Sequence, residues 1–244
     1  MRFPLHVPAL VLATVAGLAP LPAFAWPVDV VVDLEAGSER FERPSAIGWA
    51  QVEDPKIATA EVLESGELLL SGVSPGRTLV LLYAEGKFAV WRLRVAPRGG
   101  KVKPVEGGEA LAAAKKACPG LTPHPGAEES ALVGTIKDER CRQALLSLFQ
   151  TDAYLARELE LTFEMAALQT QLIALQAAFK AAGLPKLDAR YHGAGLVLDG
   201  RVSEGEHRQV LWEVFRRSVA RAPLEDRLEV QEPDAGAAPR EVHP

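Results

Sequence analysis

Val28–Val95 reads VDVVVDLEAGSERFERPSAIGWAQVEDPKIATAEVLESGELLLSGVSPGRTLVLLYAEGKFAVWRLRV, and this stretch decides the fold. Its opening alternates at period two, with Val28, Val30, Val32 and Leu34 on one face and Asp29 and Asp33 on the other. That is the pattern of a half-buried strand. Its close does the same, Trp91, Leu93 and Val95 against Arg92 and Arg94. Between them, Glu67–Ser71 and Thr78–Tyr83 are more continuously apolar, as strands covered on both faces are. Asp54-Pro55, Ser65-Gly66, Ser74-Pro75-Gly76 and Glu85-Gly86 supply turns, and turn making accounts for them without any binding role. About seven short strands at this turn density predict a small all-β sandwich over residues 26–96.

Outward on the N-terminal side, residues 1–25 read as an export signal. Arg2 is the positive residue, an apolar run follows from Val7 to Leu21, and Ala23-Phe24-Ala25 is a small-x-small site with cleavage after Ala25. Pro8, Pro20 and Pro22 break the run, which favours cleavage over a permanent anchor. The expected product is periplasmic, with no transmembrane segment after cleavage, held near the outer membrane only through a partner. It carries 26 basic against 32 acidic residues, a formal charge of −6. Charges of both signs are interspersed and no basic stripe appears, which argues against nucleic acid as a partner.

On the C-terminal side, the Pro- and Gly-rich stretch at 97–108 marks a linker. Beyond it the chain repeats itself at a shift of 66 residues. Pro119 aligns with Pro185, Leu121 with Leu187, Gly134 with Gly200, Arg142-Gln143 with Arg208-Gln209, Leu145 with Leu211 and Phe149 with Phe215. Two similar small units in tandem follow from this, at 109–164 and 165–231. Each reads helix, strand, strand, helix, strand. In the second, Met165, Leu168, Leu172, Leu175 and Phe179 form an apolar helical stripe, which covers the unit's own sheet. Strands are expected at Leu187–Tyr191 and Gly195–Val202, a helix at Glu204–Ala220, and a closing strand at Leu228–Val230. The first unit has helices at Glu109–Ala117 and Asp138–Thr151 and a strand at Leu159–Phe163, with Pro123, Pro125 and Gly126 interrupting a middle strand. Residues 232–244, rich in Pro, Ala, Gly and acids, read as a disordered tail.

Three pieces of the first domain carry a family resemblance: Val32-Asp33-Leu34 with Gly37, the Asp54-Pro55-Lys56-Ile57-Ala58 turn, and the Leu68–Leu81 run with Ser71-Gly72, Pro75-Gly76 and Thr78. In order and spacing they resemble the periplasmic N-terminal region of secretins and pilus-assembly proteins, the pilus formation protein N-terminal domain. The second half, with Leu198–Val202 running into a helix, resembles BON domains, the first copy being the more degenerate. The resemblance implies a mixed fold, a small β sandwich followed by two α+β units of BON-like αββαβ order. It implies a non-enzymatic scaffold of a type IV, tight-adherence-like pilus or of a type II or III secretion apparatus, with a secretin or other pilus and secretion subunits as partners and a homo-oligomer left open. The chain reaches Pro244 without a channel-forming secretin core, so an accessory subunit is expected. The alternative is a stand-alone BON-type envelope protein that binds phospholipid surfaces.

Cys118 and Cys141 are the whole cysteine complement. In an oxidising compartment the pair invites a disulfide, worth about 3 kcal/mol, and two buried thiols are the rival reading. The BON-like arrangement implies that Cys118 ends the first helix and Cys141 begins the second, so that the bridge staples one unit; Leu184 and His207 stand at the matching positions of the other. Catalysis finds little support. His124, His192, His207 and His243 fall on a proline-rich segment, a strand end, a helix surface and the tail, and no metalloprotease, zinc, serine-hydrolase or phosphate-loop pattern appears. Glu128-Glu129 and Glu204 with Glu206 sit at a turn and a helix start, where carboxylates favour the positive end of the helix. No catalytic residue, cofactor or metal is expected.

Overall fold

The protein is represented by a computed structural model that describes residues 27–44, 47–125, 130–184, 186–193, 195–217 and 224–231. The export signal with Ala25, Glu128-Glu129, His243 and the tail lie outside the described residues.

Seven strands build the first domain: β1 (Val30–Glu35), β2 (Glu39–Glu42), β3 (Trp49–Val52), β4 (Ala58–Val62), β5 (Leu68–Gly72), β6 (Gly76–Ala84) and β7 (Lys87–Ala96). They form two sheets, ordered β1-β7-β6-β3 and β2-β5-β4, with β1 parallel to β7 and the other pairs antiparallel. Val32, Leu34, Leu68, Leu70, Val80, Leu82 and Leu93 fill the space between them. The corner between β1 and β5 is tight: a Cβ on Gly72 would stand 2.4 Å from the Glu35 carbonyl oxygen, so only glycine lets the sheets meet there. The opening alternation needs one correction. Val28 precedes β1 and packs with Leu79, Leu81 and Val90 on the opposite side of the sheet from Val32 and Leu34, while Val30 is 39% exposed. The ladder begins only at Val30, so period two does not extend back across Asp29.

Each αββαβ unit follows the expected order. The first comprises α1 (Gly108–Ala117), β8 (Thr122–Pro125), β9 (Ser130–Ile136), α2 (Glu139–Phe149) and β10 (Leu159–Phe163). The second comprises α3 (Met165–Ala181), β11 (Asp188–His192), β12 (Gly195–Ser203), α4 (Glu204–Arg217) and β13 (Leu224–Gln231). The sheets run β10-β9-β8 and β11-β12-β13, with the middle strand antiparallel to one neighbour and parallel to the other. The hairpin registers coincide at the sequence shift, since Thr122 pairs with Val133 and Asp188 with Asp199. The aligned glycines do the same job. A Cβ on Gly134 would meet Gly120 O and Leu121 Cα at 3.0 Å, and one on Gly200 would meet Leu187 Cδ2 at 2.9 Å and Lys186 O at 3.2 Å. Pro123 and Pro125 sit in β8, an edge strand, where a missing N–H need not break the ladder.

Helix α3 serves both units. Ala167 joins the core of the first, Leu175 and Phe179 the core of the second. Met165, expected on the buried stripe, is exposed because the helix starts there, at the end of the crossover from β10. Closing strand β13 starts at Leu224, earlier than expected, since its Leu-x-x-x-Leu spacing hides pairing along the whole of β12.

Candidate functional site

The outer face of the β1-β7-β6-β3 sheet is where the three domains meet, and the composition of β6 and β7 dictates how. Outward positions carry Leu79, Leu81 and Tyr83 on β6 and Phe88 and Val90 on β7, followed toward one end by Arg77, Arg92 and Arg94. One end is apolar, the other cationic. Two surfaces of opposite character need two partners, and the two αββαβ units supply them.

Helix α4 covers the apolar end. It carries Val210, Leu211, Trp212, Val214 and Phe215, too many apolar residues for one stripe. Val210, Leu211 and Val214 pack on the second unit's own sheet, while Trp212 and Phe215 press on Val28, Leu79, Leu81 and Val90. Trp49 stacks on Tyr83 with ring centres 5.3 Å apart, and Arg208 lies over Trp49. Ser203 and Glu206 form a reciprocal cap at the helix start, the Ser203 N–H donating to Glu206 at 2.7 Å and the Glu206 N–H to the Ser203 hydroxyl at 3.3 Å.

At the cationic end, Arg92 is only 4% exposed. Its guanidinium donates to Asp152 at 2.8 Å and to the carbonyls of Phe149 and Thr151 behind α2. Arg77 donates to Asp152 at 2.6 Å, and Arg94 holds Asp33 through two bonds at 2.6 and 2.7 Å. Burial alone would raise the Asp152 carboxyl, but the Val105 N–H and the guanidiniums of Arg92 and Arg77 hold it below the usual carboxylate range. Asp152 thus ties the first unit, the linker and the sandwich together.

A third junction contains His207. Expected on a helix surface, it is 7% exposed, packed edge-on against Tyr83 with Nε2 2.7 Å from Asp226 on β13. The correction comes from α4 lying between two sheets: Glu204, Gly205, Glu206 and Arg208 stay exposed, while His207 is on the side that meets Tyr83 and Asp226. Tyr83 donates to the same Asp226 oxygen. Burial would raise Asp226, and the bonds from His207, Tyr83 and the Leu228 N–H keep it low. Burial and the neighbouring carboxylate push the Tyr83 phenol well up, the opposite of what a nucleophile or proton donor at neutral pH needs. This arrangement holds a junction; its chemistry is that of a buried hydrogen-bonded network.

Cys118 and Cys141 are joined in a disulfide across 23 residues of sequence, tying the C-terminal end of α1 to the first turn of α2. His192 ends β11 in the solvent, and His124 lies on β8, so the structure brings neither together with His207. Among the described residues no three histidine, cysteine or acidic side chains gather as metal ligands, and no helix is long and apolar enough to cross a membrane. The pairing of Arg92 with Asp152 escaped sequence reading, because alternation marks Arg92 as an outward residue without saying what covers it. Trp212 had a signal, the surplus of apolar residues on α4.

The sandwich is closed on one side, where β3 packs on β4, and open on the other. There β1 and β2, edge strands of different sheets, flank a groove of about 560 Å³ lined among others by Glu35, Ser38, Glu39, Arg40 and Lys101. Among the described residues it is one candidate for binding.

Residues 29–96 match the family described as the pilus formation protein N terminal region of type II and type III secretion systems. No curated protein matches the chain. Among solved structures, domains 4 and 5 of the S-layer protein SbsC are 15% identical over 28% of this chain and 48% of that one, with a TM-score of 0.25. CdsD, a structural protein of the type III secretion system of Chlamydia trachomatis, is 14% identical over 57% of this chain and 66% of that one, with a TM-score of 0.24. This chain spans about half of the SbsC fragment, and overlaps this loose carry no argument about the whole. The family match falls on the sandwich, so this domain is similar to the pilus formation N-terminal region of secretion-system proteins. The element order of the two αββαβ units is observed, while their BON-like family is not confirmed.

Proposed function

We propose that this protein is a periplasmic, non-enzymatic adaptor of a pilus or secretion apparatus that docks a secretin or another subunit through its β sandwich. The observation that carries this reading is the domain at residues 29–96, welded by one sheet face to two further small domains and open at one edge. Arg92, Asp152, His207 and Asp226 spend their hydrogen-bonding capacity on these junctions. Three domains fastened through one sheet face, with an open strand edge, suit docking better than turnover.

Cross-linking in cells that make the apparatus, followed by capture of the tagged chain, tests the proposal. A secretin or pilus subunit linked to the sandwich is the expected result, and none linked removes the reading. Binding of the purified chain to vesicles of phosphatidylglycerol, without any such subunit, would move the assignment to a lipid-surface protein.

A further inference from the structure

We infer that the open side of the sandwich takes an extended segment of a partner protein by strand addition to β2, and that this segment carries a basic residue two positions from an apolar one. The inference rests on the adaptor reading and names the surface and chemistry of its partner.

Sheet order leaves four edge strands in the sandwich, β1 and β3 in one sheet, β2 and β4 in the other. β3 packs on β4, and Arg208 from α4 lies over Trp49, so that side is occupied. β1 and β2 border the groove and leave the outward backbone groups of two edges for another strand, the usual basis of strand addition.

The side chains of β2 say which strand fits. Phe41 and Glu39 point to the outer face, opposite Leu69 and Ser71 of β5. Phe41 is 58% exposed, an unusual place for a phenylalanine on an edge. Glu61 lies beyond Leu69 in the same cross-strand row and adds negative charge to that face. Of the other charges nearby, Arg40 is engaged with Glu42 at 2.6 Å, Asp33 with Arg94, and Glu67 with Arg43 at 2.8 Å, while Lys101 lines the groove without an ion pair among the described residues. Glu39 and Glu61 have no ion-pair partner among the described residues. An incoming strand therefore meets an aromatic ring and an uncompensated carboxylate two residues apart on one face. Cross-strand pairing rewards an apolar residue against the first and a lysine or arginine against the second. Its alternate side chains enter the groove, whose volume of about 560 Å³ accommodates them.

The test uses the purified, oxidised chain and two capped peptides, TKTVTKTVT and TETVTETVT, with residue-resolved hydrogen exchange as readout. The lysine peptide is expected to slow exchange of amides 38–42 by about tenfold, and the glutamate peptide to change it less than about twofold. Phe41→Glu abolishes the protection, and Glu39→Lys transfers it to the glutamate peptide; both residues are exposed, so neither change threatens the fold. Equal protection by both peptides, protection confined to another element, none at all, or a β2-mediated dimer overturns the inference. Cross-linking in cells with Phe41→Glu separates the two claims. If wild type and variant both capture the same pilus or secretion subunit, the adaptor reading stands and the groove is not its site. If neither captures one, the adaptor reading falls, and the peptide result is decided on its own.

Discussion

The two αββαβ units share a hairpin register and a glycine contact, yet they are fastened in different ways. The first is stapled by Cys118–Cys141 and meets the sandwich through charge, with Asp152 among Arg77 and Arg92. The second has Leu184 and His207 where the cysteines stand, and meets the sandwich through Trp212 and Phe215. In the first, the residues beyond α2 dock; in the second, α4 itself docks. A duplicated unit keeps what its own sheet needs and changes the positions that face a neighbour. The first unit has a covalent bond in addition to its docking, and the second has docking without one.

The largest effects should come from breaking either junction. Asp152→Ala leaves Arg92 buried beside no carboxylate, and a cost of about 3–5 kcal/mol is expected in denaturant unfolding. Phe215→Ala empties a fully buried site in the apolar junction and should cost about the same. If Asp152→Ala costs less than about 1 kcal/mol, the charged junction is not a fastening and the contrast fails. Next in size is the staple. Cys118→Ser with Cys141→Ser should cost about 3 kcal/mol by loop entropy, measurable as a lower unfolding midpoint, while Leu184 and His207 keep their burial in the other unit.

Smaller changes sharpen the likeness between the units. Gly200 has a φ of +148° and Gly134 does not share that conformation, although both face a close-lying loop. Gly200→Ala is therefore expected to cost about 2–3 kcal/mol and Gly134→Ala about 1–2 kcal/mol, with thermal unfolding as the check. Equal costs would mean that crowding alone matters at both positions.

The smallest effect is a pH dependence beside the second unit's docking helix. Burial raises the Glu53 carboxyl to about 7, with the Leu79 backbone bond and Arg216 opposing. Its folded value lies above its unfolded one, so the contribution is whole below about pH 4.5 and is lost as pH rises through 7. Glu53→Gln should match wild type near pH 4 and exceed it by about 1 kcal/mol near pH 8.5, after allowance for partial exposure. A variant no more stable than wild type at the higher pH would show that Glu53 is solvated when ionised.

The sandwich was legible because each of its cues is local. Alternation at Val32 and Leu34, turn pairs such as Glu85-Gly86 and the continuous run Thr78–Tyr83 each specify a strand or a turn without knowledge of the rest. The repeat was legible for a related reason: Gly134 with Leu121, and Gly200 with Leu187, are contacts within one unit, so both members recur at the same shift. The junctions depend on which surfaces meet. Arg92 alternates like a solvent-facing residue and His207 sits at a polar helix start, and only the packing of one domain on another buries them. The open edge was foreseeable in kind, since strand modules bind by their edges, but the choice of β2 over β4 required the sheet order. The export signal and the tail lie beyond what the structure describes.

Residue-resolved hydrogen exchange of the full chain, before and after reduction, tests the central claim most directly. Reduction should release protection in α1, α2 and the β8–β10 sheet while α3, α4 and the β11–β13 sheet keep theirs through the sandwich. Loss of protection in both units together, or in neither, would contradict the account that the first unit depends on its covalent staple in addition to docking and the second on docking without one.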